Sequence, residues 1–307
     1  MALTYDQISA ITEKKFIPKL YDNIFDSDPL LQRLKKKSYQ KVDGGERMIV
    51  PLNYAQTSAS DWYSGADTLS TTDNDQITGA EYTWKQLYAN ISITRSDELK
   101  NSGDSQILNF VKSKTQIAEK TMIDKLGDGL YSSGTNAKSI VGLGSIIGTS
   151  NTVGGISQTT YTWWASQVDS TTTTLSLAAL QTQYNNLTIN NEHPTVIMAT
   201  RTNYNRYYGL LQPQQRFMDS ETAKGGFQSL MFNGTPFISG SKVPSGSGII
   251  MLNEPYLILA VHKDEDMRFE PFQKPVNQNV KLAKVYWFGA FGSANNRMHG
   301  KFTAVAA

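Results

Sequence analysis

Cysteine is absent from the 307 residues, which excludes disulfides and every cysteinyl zinc or iron–sulfur site. Histidine is scarce: only His193, His262 and His299 occur, and none sits in an HExxH or comparable ligand spacing. Charged residues make up 18% of the chain and balance to a formal +2, too little for a binder whose affinity comes from neutralising many phosphates. No apolar run approaches the roughly 20 residues of a membrane span; Tyr256 to Val261 is typical. The opening MALTYDQISAITEKK has no basic start followed by an apolar stretch, so a soluble chain without a secretion signal is expected. Length permits a sizeable interior, since a chain of this size buries roughly 75% of its extended surface, enough for one large core or two modest ones.

A local absence is more informative. The 37 residues between Arg47 and Lys85 contain no lysine or arginine but five acids, Asp61, Asp67, Asp73, Asp75 and Glu81. No helical period runs through them. Met48, Val50 and Leu52 alternate with Ile49, Pro51 and Asn53 at one end, and a return strand is expected from about Tyr82 to Thr94, where Leu87, Ala89, Ile91 and Ile93 alternate with polar neighbours and Tyr88. The segment reads as a long two-stranded arm whose tip holds Trp62, Tyr63, Gly65 and the polar run Ser70 to Asp75. A connection of that length without its own core is functional or docked rather than idle. Directly before it stands a basic run, Arg33, Lys35, Lys36, Lys37 and Lys41. That run is open to three readings: a solvated helix face, a phosphate contact, or a partner for the acidic arm of another copy. Charges separated in this way make self-assembly the first hypothesis. Trp62 and Trp84 either pack within their own subunit or are buried against a neighbour.

Before the arm, Ile8, Ile11, Leu20, Ile24, Leu30, Leu31 and Leu34, interrupted by Pro18 and Pro29, predict short helical pieces. After it comes the strongest helical pattern, with Asp104 or Ser105 as cap and Leu108, Val111, Thr115, Ala118, Met122 and Leu126 at intervals of three or four; Gly127 and Gly129 are expected to end it. A glycine-, serine- and threonine-rich stretch from Gly142 to Thr174 marks a boundary. A helix through Leu177, Leu180, Tyr184 and Leu187, a strand over 195–200 and a helix through Tyr204, Tyr207, Tyr208 and Leu211 suggest a small α/β unit. From Gln228 onward the pattern is mostly strands, with a long one from Val280 to Phe291. The fold class is α+β with an extended arm.

Chemistry is hard to find. His262, Asp264, Glu265 and Asp266 read more simply as a charged turn than as a metal site, and they do not match a calcium loop. No GxSxG, GxxxxGK[ST] or GxGxxG occurs, and Gly240 to Gly248 reads as a flexible hairpin loop. The sequence therefore nominates no catalytic residue, cofactor or metal ligand; an enzyme of unfamiliar α+β type is the rival reading from a different class.

In this order, FIPKLYDNIFDSDPLLQRL, GGERMIVPLNY, ANISITRSDEL, SDELKNSGDSQILNFVKSKTQIAEKTMIDKLGDGLY, KSIVGLGSII and LNEPYLILAVHKDEDMRFEPF resemble the major capsid proteins of tailed bacteriophages with the Hong Kong 97-type fold. The resemblance covers nearly the whole chain and lies in the order and texture of segments. It implies an N-terminal arm over 1–45, an extended β-hairpin loop over 46–95 that overlaps an adjacent subunit, a peripheral domain with its spine helix over 96–150, an axial domain over 151–262, and C-terminal strands of the peripheral domain over 263–307. The implied function is a structural shell protein that self-assembles into an icosahedral head around double-stranded DNA, in the virion, after assembly in the host bacterial cytoplasm.

Hexamers and pentamers of one chain would be the principal partnership. Separate scaffolding, portal and decoration proteins would be further partners, and contact with the packaged DNA would be unspecific. Members that cross-link covalently use a lysine in the extended loop; this loop has none, so the implied grip is non-covalent. Expected assembly contacts are Arg33, Lys35, Lys36, Lys37, Asp61, Trp62, Tyr63, Asp67 and Trp84, with bending at Gly44, Gly45 and Gly65. A tail-tube, ring-forming or encapsulating-compartment protein would explain the same arm.

Overall fold

The computed structural model describes residues 28–72, 74–100, 110–215 and 230–305. The expected helical pieces through Ile8, Ile11, Leu20 and Ile24, the cap at Asp104 or Ser105 with Leu108, the acid Asp73 and the strand start at Gln228 lie outside the described residues.

Asp28 accepts the Leu31 N–H at 3.2 Å and so caps helix α1 (Pro29–Lys37), with proline at its first position, where the missing N–H is no loss. Leu30, Leu31 and Leu34 bury one side of this helix. Strand β1 (Tyr39–Val42) follows, then β2 (Arg47–Asn53), β3 (Ile77–Thr83), β4 (Lys85–Thr94) and the short helix α2 (Arg95–Lys100). Helix α3 (Phe110–Leu130), about 31 Å of rod, and α4 (Leu143–Ile146) lead to β5 (Thr152–Val153), β6 (Ile156–Ser157) and β7 (Gln167–Asp169). The α/β pattern read from the sequence is present as α5 (Leu177–Leu187), β8 (Val196–Ala199) and α6 (Arg201–Gln215). The remainder is β9 (Met231–Phe232), β10 (Thr235–Ser239), β11 (Ile249–Leu252), β12 (Leu257–His262), β13 (Arg268–Gln273), β14 (Val280–Ser293) and β15 (Gly300–Phe302).

Two sheets organise the molecule. In the five-stranded sheet β14 is central, pairing with β4 over Val280–Gly289, with β13 over its first half and with β12 over Gly289–Ser293, while β1 runs parallel to β12. Its Ala283, Val285 and Trp287 face a core that includes Ile91, Met122, Leu126 and Leu130, so α3 covers that side. The six-stranded sheet runs β7-β15-β11-β8-β10-β9. One of its faces packs Leu180, Tyr184, Leu187 and Tyr207 of α5 and α6 against Ile197, Phe237, Met251 and Phe302. The chain passes between the sheets more than once: β12, which precedes residue 263, belongs to the five-stranded sheet, and β15, which follows it, to the six-stranded one.

Two expectations are corrected. The strand from Tyr82 to Thr94 is two strands. β3 pairs with β2 in a separate hairpin, β4 pairs with β14, and the chain changes partner at Trp84. The alternation changes phase at the break, from inward even positions at Ala80, Tyr82 and Trp84 to inward odd positions from Leu87 to Ile93, a shift that one continuous strand would not show. Helix α3, likewise, does not end at Gly127 and Gly129 but runs through both. A Cβ on Gly127 would sit 3.1 Å from the Lys242 side chain, and one on Gly129 would sit 3.0 Å from Ile140. These glycines therefore serve close approach, not termination. Lys242, from the loop read as flexible, donates to the Asp124 carbonyl at 2.7 Å and to the Asp124 and Asp128 carboxylates at 2.6 Å each, tying that loop to the helix.

The hairpin root is locked onto the body by Tyr82, which is almost wholly buried. Its hydroxyl donates to the Ser293 carbonyl at 2.7 Å and accepts the Ser293 N–H at 3.0 Å. An added Cβ at Gly292 would lie 2.6 Å from the Tyr82 ring, which these bonds prevent from moving away. Gly292→Ala is expected to destabilise the subunit by about 1–3 kcal/mol, read as a lower denaturation midpoint in urea.

Candidate assembly interface

The hairpin β2–β3 is amphipathic across its sheet. Val50, Leu52, Ala80 and Tyr82 are buried against the body, while Ile49 and Ile77 are exposed on the other side. Glu81 N–H bonds the Gly154 carbonyl at 3.0 Å, and Tyr54 stacks on Trp163 with ring centroids 5.4 Å apart. The first half of the expected reach is thus anchored on its own subunit. Beyond Tyr54 the chain leaves the body: Ser58 N–H bonds Asn74 Oδ1 at 2.9 Å and Asn74 Nδ2 bonds the Gln56 carbonyl at 3.2 Å, closing the mouth of a tip in which every residue from Asp61 to Thr72 is exposed. Trp62 is 98% exposed and Tyr63 68%. Among the described residues, Asp61 and Asp67 accept local backbone N–H groups, of Trp62 and Ser64 respectively, each at 2.8 Å. A surface indole this open has surrendered the burial that usually keeps tryptophan inside.

Trp84 behaves differently from the tip. It stacks on Phe288 at 5.3 Å and donates its indole N–H to the Gly45 carbonyl at 2.9 Å, so it is a contact within its own chain. Gly44, Gly45 and Gly65 have φ of +120°, +124° and +55°, a region that side-chain-bearing residues rarely adopt. The first two stand where β1 turns into the arm.

The basic run divides. Arg33 grips Glu254 with both ends of its guanidinium, Nε to Oε1 at 2.6 Å and Nη2 to Oε2 at 2.8 Å, and Lys37 reaches Oε2 at 2.8 Å. Thr195 Oγ1 donates to the same oxygen at 3.0 Å. Glu254 is fully buried. Burial alone would raise its pKa, but the bonds from Arg33 and Lys37 outweigh that and hold it below the ordinary carboxylate value. Arg33 and Lys37 are therefore committed at home, contrary to the expectation that they face another copy. Lys41 pairs with Asp266 at 3.4 Å, while Lys35 and Lys36 are exposed with no ion-pair partner among the described residues. Glu254 carried a signal that could have identified this site: it is the only acid in the apolar stretch Ile249 to Val261, and such an acid needs a buried cation.

The His262 region is a charged turn. His262 Nδ1 accepts the Asp264 N–H at 3.2 Å, Lys263 pairs with Asp43 at 3.1 Å and Arg268 with Glu265 at 2.7 Å. His299 has no exposed surface. Its Nδ1 accepts the Asn253 N–H at 3.3 Å, which leaves the ring proton on Nε2, 3.2 Å from Ser293 Oγ. Ser293 is buried as well, so the pair is an internal clip. Burial pushes the His299 pKa down to about 3, below its value in an unfolded chain. Protons are then taken up on unfolding, and the stability His299 contributes is complete above about pH 6.5 and lost as pH falls toward 3. This predicts a loss of about 2 kcal/mol between pH 7 and 5 from this one group. Urea midpoints at the two pH values should differ less in His299→Gln than in the parent.

No family model matches the sequence, and no curated protein matches it. Solved structures do. A chain of the cyanophage A-1(L) capsid asymmetric unit is similar over 99% of both chains, with a TM-score of 0.68 at 16% identity. The capsid of a native GTA particle is similar over 99% of this chain and 100% of that one, with a TM-score of 0.69 at 12% identity. The SrpI encapsulin complex of Synechococcus elongatus PCC 7942 is similar over 100% of this chain and 97% of that one, with a TM-score of 0.62 at 12% identity. The α+β fold expected from the sequence, Hong Kong 97-type, is the fold of these capsid structures over the full length of the chain.

Proposed function

We propose that this chain is a major capsid protein, a structural subunit whose copies close into an icosahedral shell around double-stranded DNA. The observation that carries the reading is full-length similarity to capsid chains combined with a tip that is wholly exposed and bears an open tryptophan. Pentamers and hexamers would be built from one subunit that adapts at Gly44, Gly45 and Gly65. Separate scaffolding, portal and decoration proteins, and unspecific contact with packaged DNA, belong to the same reading, as do the virion as its place and the host cytoplasm as the site of assembly.

The unit formed by α3 with the five-stranded sheet takes the peripheral role, and the unit formed by the six-stranded sheet with α5 and α6 the axial one. On the sheet memberships, β12 goes with the former and β15 with the latter. Shell strength would arise from many standard interfaces of roughly 1,600 Å², with no covalent link from the lysine-free loop.

Sedimentation of the purified chain tests this: particles many times heavier than the 34.1 kDa subunit are expected, and a protein that stays monomeric at all concentrations overturns it. The similarity to the encapsulin complex supports a second reading, a compartment that encloses cargo other than DNA. Nuclease-protected DNA in particles from phage-infected cells favours the first, and DNA-free particles favour the second.

A further inference from the structure

Beside β3, where the arm meets the β5–β6 turn at Gly154 and Gly155, lies a groove of about 710 Å³. That volume suits a small organic guest, whose sites span roughly 300–1,000 Å³. Three rings line it: Tyr54 and Trp163, stacked at 5.4 Å, and Tyr161, tilted by 57° to Trp163 with centroids 6.2 Å apart. The charged side chains of the lining are Asp75 and Glu81, with no lysine or arginine among them. Asp75 has no hydrogen bond or ion pair among the described residues. Glu81 gives Oε2 to Arg47 at 2.6 Å and has Oε1 to offer. An aromatic, negative lining selects for a cation.

Spacing narrows the class of cation. The Tyr54 N–H bonds the Gln76 carbonyl at 3.0 Å and so extends the β2–β3 ladder by one step, and alternation places Asp75, Ile77, Gly79 and Glu81 on one side of the strand. The two acids are therefore roughly 20 Å apart between Cα atoms. One metal ion, which holds its oxygens at about 2–2.6 Å, cannot touch both. A chain with a charge at each end can. Between the acids that side carries only the exposed Ile77 and the side-chain-free Gly79, which leaves room for methylene groups.

We propose that this groove binds a long alkyl diamine or polyamine, its terminal ammonium groups on Asp75 and Glu81 and its methylene chain along Ile77 and the rings of Tyr54, Tyr161 and Trp163. Each ammonium donates a charge-assisted hydrogen bond to a carboxylate, and the rings add cation–π attraction and apolar cover. Asp75 and Glu81 belong to the arm, Tyr161 and Trp163 to the body. The bound guest pins the arm's root to the subunit that carries it, and the site is separate from any contact between copies.

Calorimetric titration of the unassembled full-length chain at low ionic strength, with decamethylenediamine as the probe, tests this. The probe is expected to bind at least about tenfold more tightly than putrescine, which has the same charge but is too short to reach both acids. Asp75→Asn and Glu81→Gln should each bring the long diamine close to the putrescine value, since either leaves one anchored end. Both side chains are exposed, so urea midpoints should stay at the parent's. Tyr161→Ala, at a half-exposed ring, is a further measurement and should weaken the long diamine about threefold. No binding, equal affinity for the two diamines, affinity unmoved by the acid substitutions, or equally tight binding of neutral tetraethylene glycol would each overturn the proposal.

Discussion

Replacing residues 59–72 with a two-residue Asn-Gly turn is expected to give a subunit that unfolds at the parent's urea midpoint yet remains unassembled at concentrations where the parent forms particles. The cut spares the ladder from Arg47–Thr83 to Asn53–Ile77 and the Asn74 bonds that close the tip's mouth, and apart from the half-buried Ala59 it removes exposed residues whose hydrogen bonds are local. Asn-Gly suits a tight reversal between antiparallel strands. The single change Trp62→Ala should show a graded form of the same defect. An aromatic anchor in a desolvated pocket is typically worth about 2 kcal/mol or more, so the assembly threshold should rise about 30-fold with no change in subunit stability. Sedimentation at a series of concentrations reads both effects. A parent-like threshold in the loop replacement would show that the tip is a passive surface loop.

Arg33→Ala is expected to destabilise the subunit by roughly 3 kcal/mol, the lower end of the range for removing one partner of a buried ion pair, because Lys37 and Thr195 remain on Glu254. The carboxylate itself has no exposed surface, and Arg33 is 27% exposed. Lys37, at 51% exposure, is a partner that water can replace, so Lys37→Ala should cost less than about 1 kcal/mol. The pH dependence has a definite sign. Glu254 has a lowered pKa in the folded chain, so its contribution is complete above the unfolded carboxylate value and is lost as pH falls below it. At low pH the difference between Arg33→Ala and the parent should therefore shrink. Equal costs for the two cation substitutions at neutral pH would contradict this asymmetry, as measured by urea unfolding of unassembled protein.

Local pattern made several elements legible. The spacing of Leu177, Leu180, Tyr184 and Leu187 marked α5, and alternation marked β2, β4 and β14, because helix and strand periods are written in neighbouring residues. What the residues between Met48 and Trp84 lack marked the arm. Partner choice was not legible. A shift in the phase of alternation between Trp84 and Leu87 marks the break in the chain from Tyr82 to Thr94, but that its second half pairs with β14, some 200 positions away, is written in no local period. Gly127 and Gly129 looked like a helix end because Lys242 and Ile140, which occupy the space a side chain would need, are distant or on another element. The basic run misled for the same reason. Charge clustering in sequence suggested an external partner, while the acid that satisfies Arg33 and Lys37 lies at position 254. Trp62 and Trp84 were alike as letters, and only the fold separated a tryptophan stacked on Phe288 from one left open to solvent.

Electron microscopy of the full-length chain, purified and concentrated, tests the central claim most directly. Closed particles tens of nanometres across are predicted, with subunits clustered in fives and sixes and the density of each arm tip lying over the neighbouring subunit in its cluster. Isolated monomers only, or particles in which each tip contacts its own subunit, would contradict the account.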